Sequence, residues 1–128
     1  MHKKPLISVI TVCYNSYEML QRTIKSVRMQ TYSEIEYIVI DGASKDSTLR
    51  LIKENEDIIN LWISEPDNGL YYAMNKGLDL ASGDYVIYIN AGDMFYMPNT
   101  LEKIFENHQD DVDIYYGDTM ILAQNQKE

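Results

Sequence analysis

The sequence predicts an α/β fold in which a mostly parallel sheet carries helices on both faces. Three observations predict it. Strand-like apolar runs and helical-period stripes alternate from one end of the chain to the other. The run Tyr85 to Ile89 is apolar without a break, as strands buried on both faces are. The segments after the first four strand-like runs are polar, and an open α/β sheet holds its ligand beyond its carboxyl strand ends.

Leu6 to Val12 is the first strand, by its β-branched content. Asn15 then offers an N-cap, with Glu18 three residues on as its capping-box partner. Tyr17, Leu20, Ile24 and Val27 follow at helical spacing. Tyr37 to Ile40 is the second strand, and the polar loop Ala43 to Asp46 leads into a helix holding Leu49, Leu51 and Ile52. Ile58 to Ile63 is the third strand. Leu70, Ala73, Met74, Gly77, Leu78 and Ala81 form the next helical stripe, and Tyr85 to Ile89 is the fourth strand. Leu101, Ile104 and Phe105 mark a further helix, with Pro98 suited to its first turn. Val112 to Tyr116 is the fifth strand. Right-handed crossovers make the first strand central. Residues 1–128 read as one domain, with 1–5 and 124–128 loose at its ends.

The 128 residues are 45% hydrophobic and 24% charged, the balance of a soluble globular chain. No apolar run approaches the roughly 18 residues that would cross a membrane. A signal peptide is rejected, because the run after the basic start is broken by Ser8 and Thr11. The net charge of -9, with Lys3-Lys4 as the only adjacent basic pair, argues against nucleic acid as a partner. A phosphorylated ligand would need a divalent cation to invert the local field. The single cysteine, Cys13, excludes an internal disulfide and suits a reducing cytosol. It reads as a small buried hydrophobe, and His2 and His108 as surface residues.

Four strand ends share one character: Thr11 to Asn15, Asp41 to Asp46, Glu65 to Gly69, and Asn90 to Asp93. All are polar and three hold carboxylates. Any one would serve as an ordinary turn. Together, on one sheet edge, they make a carboxylate-rich cleft that needs a cation or ligand.

These segments resemble the donor half of family-2 glycosyltransferases, whose fold is the Rossmann-like GT-A. The match runs through Ile7-Ser8-Val9-Ile10-Thr11 with Tyr14-Asn15, then Ser26-Val27 and Gln30-Thr31-Tyr32. It continues through Tyr37 to Thr48, Ser64 to Gly69, Ala73-Met74-Asn75-Lys76-Gly77, Gly83-Asp84-Tyr85 and Asn90-Ala91-Gly92-Asp93. The ordered set covers about two thirds of the chain.

The resemblance implies a role for each matched residue. Thr11, Tyr14 and Asn15 correspond to the wall that holds the base and ribose, although Asn15 equally reads as a cap. Asp41 corresponds to the base-binding acid, and Asp46 to a loop-ordering residue. Asp67, Asn75 and Lys76 face the same edge; Lys76 reads equally as a diphosphate contact or a solvated lysine. Asp93 corresponds to the last acid of the DxD-like motif that holds Mg²⁺ or Mn²⁺ against the donor diphosphate. Gly42 and Asn90 stand where many relatives have acids; Tyr72 and Met74 also depart from the pattern.

The resemblance further implies inverting transfer from a nucleoside diphosphate sugar, most simply a uridine diphosphate sugar. The acceptor would be a saccharide or lipid-linked saccharide, in bacterial surface polysaccharide synthesis. The setting would be cytoplasmic, with attachment to the inner membrane face as an option. The family's catalytic base and acceptor-binding part lie later in its chain. The sequence is therefore expected to be a truncated donor portion, inactive alone, whose uncovered sheet edge allows self-association. Asp110, Asp111, Asp113 and Asp118 sit in no convincing base motif, so no base is assigned.

Two other classes stay open: a nucleotide-binding module without transferase activity, and a signalling receiver. A receiver needs an acidic pair where this chain has Cys13-Tyr14. A dinucleotide-binding domain would need G-x-G-x-x-G after the first strand, which is absent.

Overall fold

The computed structural model describes residues 4–106, 114–116 and 119–123. The first strand, β1 (Ile7–Cys13), is central, as expected. It pairs in parallel with β2 (Ile35–Asp41) on one side and β4 (Tyr85–Tyr88) on the other. β3 (Leu61–Ser64) extends the parallel set beyond β2. Beyond β4 come two further strands, β5 (Ile114–Tyr116) and β6 (Thr119–Ala123), giving the order β3-β2-β1-β4-β6-β5. β6 is antiparallel to both its neighbours, so the sheet is mixed at that end.

The strand period of two sorts side chains onto opposite faces. Ile7, Val9, Tyr37, Val39, Tyr85 and Ile87 face one way. They pack against Leu20 and Ile24 of α1 (Tyr17–Arg28), Leu51 and Ile52 of α2 (Thr48–Glu54), and Leu101 and Phe105 of α4 (Thr100–Phe105). Ile10, Ile38, Ile40 and Val86 face the other way, onto Ala73 of α3 (Leu70–Leu80) and Ala81. Helices thus cover both faces. Gly77 lets α3 lie directly on β1, since a Cβ there would stand 2.5 Å from Ile10 Cγ2.

Several boundaries differ from the sequence expectation, each for a local reason. The N-cap of α1 is Ser16, not Asn15, and it makes no side-chain cap bond. The third strand begins at Leu61, three residues late. Ile58 and Ile59 donate their N–H groups to the Asn55 carbonyl and finish the turn after α2. Asn60 then clasps Tyr37, its Oδ1 accepting from the Tyr37 amide at 2.7 Å. β2 is longer than its apolar run because it stays in register with β1 along the full strand, from Ile35 opposite Ile7 to Asp41 opposite Cys13. β6 was not foreseen. Val112, His108, the four unassigned aspartates between 110 and 118, and both loose ends except Lys4 and Pro5 lie outside the described residues.

Candidate functional site

The four parallel strands open their carboxyl ends on one edge, and backbone bonds tie those ends together. Gly42 donates to the Cys13 carbonyl at 3.0 Å, and Glu65 to the Asp41 carbonyl at 3.0 Å. Ala91 donates to the Val12 carbonyl at 3.1 Å. The Asn90 side chain completes the seam, its Oδ1 accepting from the Val12 amide at 3.1 Å. Asn15, Asp41 and Asp93 therefore share one edge.

Asp41 is the hub beneath that edge. It is completely buried. Its carboxylate accepts from the Ser44 amide at 2.8 Å, the Ser44 hydroxyl, the Ser64 hydroxyl at 2.8 Å and the Cys13 thiol at 3.4 Å. A buried carboxylate is tolerable only when its oxygens are satisfied in this way. The chain's own donors occupy it, so Asp41 orders the loop after β2 and ties it to β3. Burial, and secondarily the charge of Asp41, push the Cys13 thiol well above its ordinary pKa.

Above this hub the edge is open. Tyr14 is exposed and Asp67 half-buried, and both flank Gly42. A Cβ on Gly42 would stand 3.2 Å from Asp67 Oδ2 and 3.3 Å from Tyr14 Cδ1. Any side chain at 42 would press into that space. Asp67 is itself held by the Gly69 amide, which donates to its Oδ1 at 3.1 Å. An aromatic face and a carboxylate whose second oxygen takes no hydrogen bond from the described residues thus adjoin a patch of bare backbone.

Asn15 joins the two loops flanking this patch. Its amide donates to Ser44 Oγ at 2.8 Å, and its Oδ1 accepts from the Lys45 amide at 2.8 Å. Asn15 takes a left-handed φ of 44°, which Asn tolerates better than most residues. Asp46 orders the loop as expected, accepting from the Thr48 amide at 2.9 Å. The Thr48 side chain and amide hold the Asp46 carboxyl below its ordinary range.

The remaining matched residues divide. Thr11 is wholly buried; its hydroxyl donates to the Ile89 carbonyl at 2.6 Å and accepts from the Tyr37 hydroxyl at 2.9 Å. It supports the edge from inside. Lys76 pairs with Glu65 at 3.0 Å and donates to the Pro66 carbonyl at 3.4 Å, linking α3 to the loop after β3. Asn75 is exposed on α3, its side chain without a hydrogen-bond partner among the described residues.

Asp93 follows β4 in a tight turn, its amide donating to the Asn90 carbonyl at 2.8 Å. Its carboxylate is exposed and takes no hydrogen bond from the described residues. Among those residues no group of three or more His, Cys, Asp or Glu side chains gathers as a metal site. One free, hard carboxylate fits a divalent cation that takes most of its oxygens from a bound diphosphate. It does not fit an all-protein cage.

The residues that hold this turn had no role in the sequence reading. Thr23 of α1 accepts from the Gly92 amide at 3.0 Å and donates to the Asp93 carbonyl at 2.7 Å. Ser26 accepts from the Phe95 amide at 3.2 Å, and Gln30 accepts from the Leu101 amide at 3.1 Å while donating to the Met97 carbonyl at 2.8 Å. The i, i+3 spacing of Thr23 and Ser26 on α1 was the available signal; Gln30 lies just beyond the helix end.

Residues 8–127 match the family described as glycosyl transferase family 2. The chain belongs to that family. A glycosyltransferase of Mycobacterium tuberculosis, described as uncharacterized, is 43% identical over 107 residues, covering 83% of this chain and 41% of its own length. A putative teichuronic acid biosynthesis glycosyltransferase of Bacillus subtilis is 35% identical over 106 residues, covering 80% of this chain and 42% of its own. The chain thus spans less than half the length of these family-2 relatives. Among solved structures, a mannosyltransferase from Pyrobaculum calidifontis in complex with GDP-Man and Mn²⁺ superposes with a TM-score of 0.80 at 20% identity. That match covers 96% of this chain and 46% of the other. Residues 1–349 of S. aureus TarS, in complex with UDP-GlcNAc, superpose with a TM-score of 0.72 at 26% identity, covering 77% and 30%. The fold is GT-A.

Proposed function

We propose that this family-2 chain forms the donor side of an inverting glycosyltransferase that takes a uridine diphosphate sugar with a divalent cation, Mn²⁺ or Mg²⁺. The observation that carries the reading is the approach of Tyr14 and Asp67 to Gly42, on the same edge as the Asp93 carboxylate, which takes no hydrogen bond from the described residues. The uracil and ribose would lie against Tyr14, with Asp67 accepting a ring N–H or a ribose hydroxyl. Thr11, Asn15 and Asp41 would hold the walls of this subsite. Lys76 would exchange Glu65 for a diphosphate oxygen, and Asn75 would face the same group. Asp93 would bind the cation, which neutralises charge on the leaving diphosphate.

TarS in complex with UDP-GlcNAc supports the uridine choice, and the mannosyltransferase in complex with GDP-Man and Mn²⁺ supports the cation. The teichuronic acid relative supports a saccharide acceptor in surface polysaccharide synthesis. No helix among the described residues is long and apolar enough to cross a membrane. A cytoplasmic setting suits a chain whose single cysteine can form no internal disulfide. Titration calorimetry with UDP and GDP, each with Mn²⁺ and with chelator, tests the reading. UDP should bind more tightly than GDP, and only with the metal; equal affinity in all four arms would refute it.

A further inference from the structure

We infer that Thr23 and Ser26 of α1, with Gln30 just beyond its C-terminal end, form a polar ladder that positions Asp93, with Thr23 as its decisive rung. The inference rests on the assignment of Asp93 to the cation. α1 is otherwise a core helix, burying Leu20, Ile24 and Val27. Thr23 and Ser26 lie beside that apolar stripe, and with Gln30 they hold the turn around Asp93 and the approach to α4. Thr23 is entirely buried, and its one hydroxyl is used in both directions. It accepts from the Gly92 amide at 3.0 Å, and its proton is shared among three carbonyls, with Asp93 nearest at 2.7 Å, then Met19 at 3.1 Å and Asn90 at 3.5 Å, so it brackets Asp93 from both sides of its backbone.

Gly92 makes this approach possible. Its φ of +100° is open to glycine and rarely to other residues, and a Cβ there would stand 2.8 Å from Met19 Cε on α1. The turn therefore rests flat against the helix. Ser26 and Gln30 continue the attachment through Phe95, Met97 and Leu101. A single protein carboxylate confers metal affinity only if its direction is fixed before the ligand arrives. The carboxylate of Asp93 has no hydrogen bond of its own among the described residues, so its backbone must supply that direction. None of these contacts reaches the nucleotide patch at Gly42, which separates orientation of the metal ligand from recognition of the base.

The test measures free Mn²⁺ by electron paramagnetic resonance in the presence of UDP, on the full chain and its variants. Thr23→Val keeps the shape and removes both hydrogen bonds. It should weaken UDP-dependent Mn²⁺ binding about tenfold, the scale of one charge-flanking hydrogen bond. Thr23→Ser should restore binding to within about twofold, since it keeps the hydroxyl. Thr23→Val added to Asp93→Ala should weaken it no further than Asp93→Ala does. If Thr23→Val lowers the melting temperature but binds Mn²⁺ like the parent, the ladder is only structural and the inference fails. If Asp93→Ala itself binds Mn²⁺ with UDP normally, the metal assignment fails first, and the two failures are distinct. Should Thr23→Val not fold, Ser26→Ala serves in its place: weakened Mn²⁺ binding supports the ladder, and unchanged binding overturns it.

Discussion

The Cys13 thiol lies 3.4 Å from a carboxylate oxygen of Asp41, and both residues are closed to solvent. Their strands pair in parallel, with Cys13 and Asp41 in register at the strand ends. The thiol donates to a charge it cannot escape. Burial first, and then that charge, oppose its ionisation. Only the thiolate is a good nucleophile, so this cysteine should be inert while the protein is folded.

The first prediction follows directly. Iodoacetamide at pH 8 should leave Cys13 unmodified in the native chain and alkylate it once urea unfolds the protein. Mass spectrometry across a urea series would follow this. Native labelling at the rate of a free thiol would contradict the buried pair.

Asp41→Ala should destabilise the fold by about 3 kcal/mol, because it strands the buried Cys13 thiol and the partly buried donors of Ser44 and Ser64 that one carboxylate satisfied. Urea unfolding midpoints would measure this. UDP affinity should fall in the same variant, since the loop carrying Ser44 and the Asn15 clasp loses its anchor. A variant of unchanged stability would show that the Ser44 and Ser64 hydrogen bonds contribute nothing net.

Asp93→Ala should behave in the opposite way. Its carboxylate is exposed and free of the described residues, so the melting temperature should stay within about 2 °C, the range of an ordinary surface substitution. Metal-dependent UDP affinity should drop by about 1–3 kcal/mol, as expected for a charge-assisted contact. Calorimetry with and without chelator separates the two terms.

Gly77→Ala sets two effects against each other. Alanine favours the helix by about 1 kcal/mol over glycine. A Cβ 2.5 Å from Ile10 Cγ2 must push α3 off β1, and overpacking of this kind costs about 1–3 kcal/mol. Overpacking should win, and the variant should melt at a lower temperature than the parent.

Glu36 anchors the opposite edge of the sheet. It accepts from the hydroxyls of Ser8 and Ser82, each at 2.7 Å, and from the Ser82 amide at 2.9 Å. Partial burial alone would raise its pKa, but these donors outweigh burial and hold it below the ordinary glutamate value. A depressed folded-state pKa contributes stability above the unfolded pKa, and that contribution is lost as pH falls through the folded value. Glu36→Gln should therefore cost about 1 kcal/mol at pH 7, the scale of a partly exposed charged hydrogen bond. The gap to the parent should narrow steadily below the ordinary glutamate range. A gap independent of pH would mean the charge plays no part.

Much of this was legible in the sequence because the fold is written in periodicity. The break-free apolar runs gave the parallel strands, and the polar strand ends gave the edge that Tyr14, Asn15, Asp67 and Asp93 share. What stayed hidden depends on contacts between distant segments. Asn15 looks like a helix cap because Asn often is one, yet its partners are Ser44 and Lys45, about thirty positions on. Asp41 looks like a ligand contact, but nothing local shows that Ser64 closes over it. Thr23 is an unremarked threonine in a core helix until Gly92 and Asp93 arrive from the far side of the chain. β6 escaped because a short strand's apolar content does not reveal its direction or its partner.

The position of β4 beside β1 has a consequence during synthesis. β1 is made first, but its second neighbour emerges only after β2, α2, β3 and α3 have followed. Until then the Val12 carbonyl and the Thr11 hydroxyl lack their partners at Ala91 and Ile89. A growing chain can form the β1–β2 pair and the loop around Asp41 early, as a local unit. The turn with Asp93 can dock onto α1 only after β4 inserts, and such long-range closure is the slow part of folding. On the ribosome, the half of the edge around Asp41 should thus mature before the half that holds Asp93.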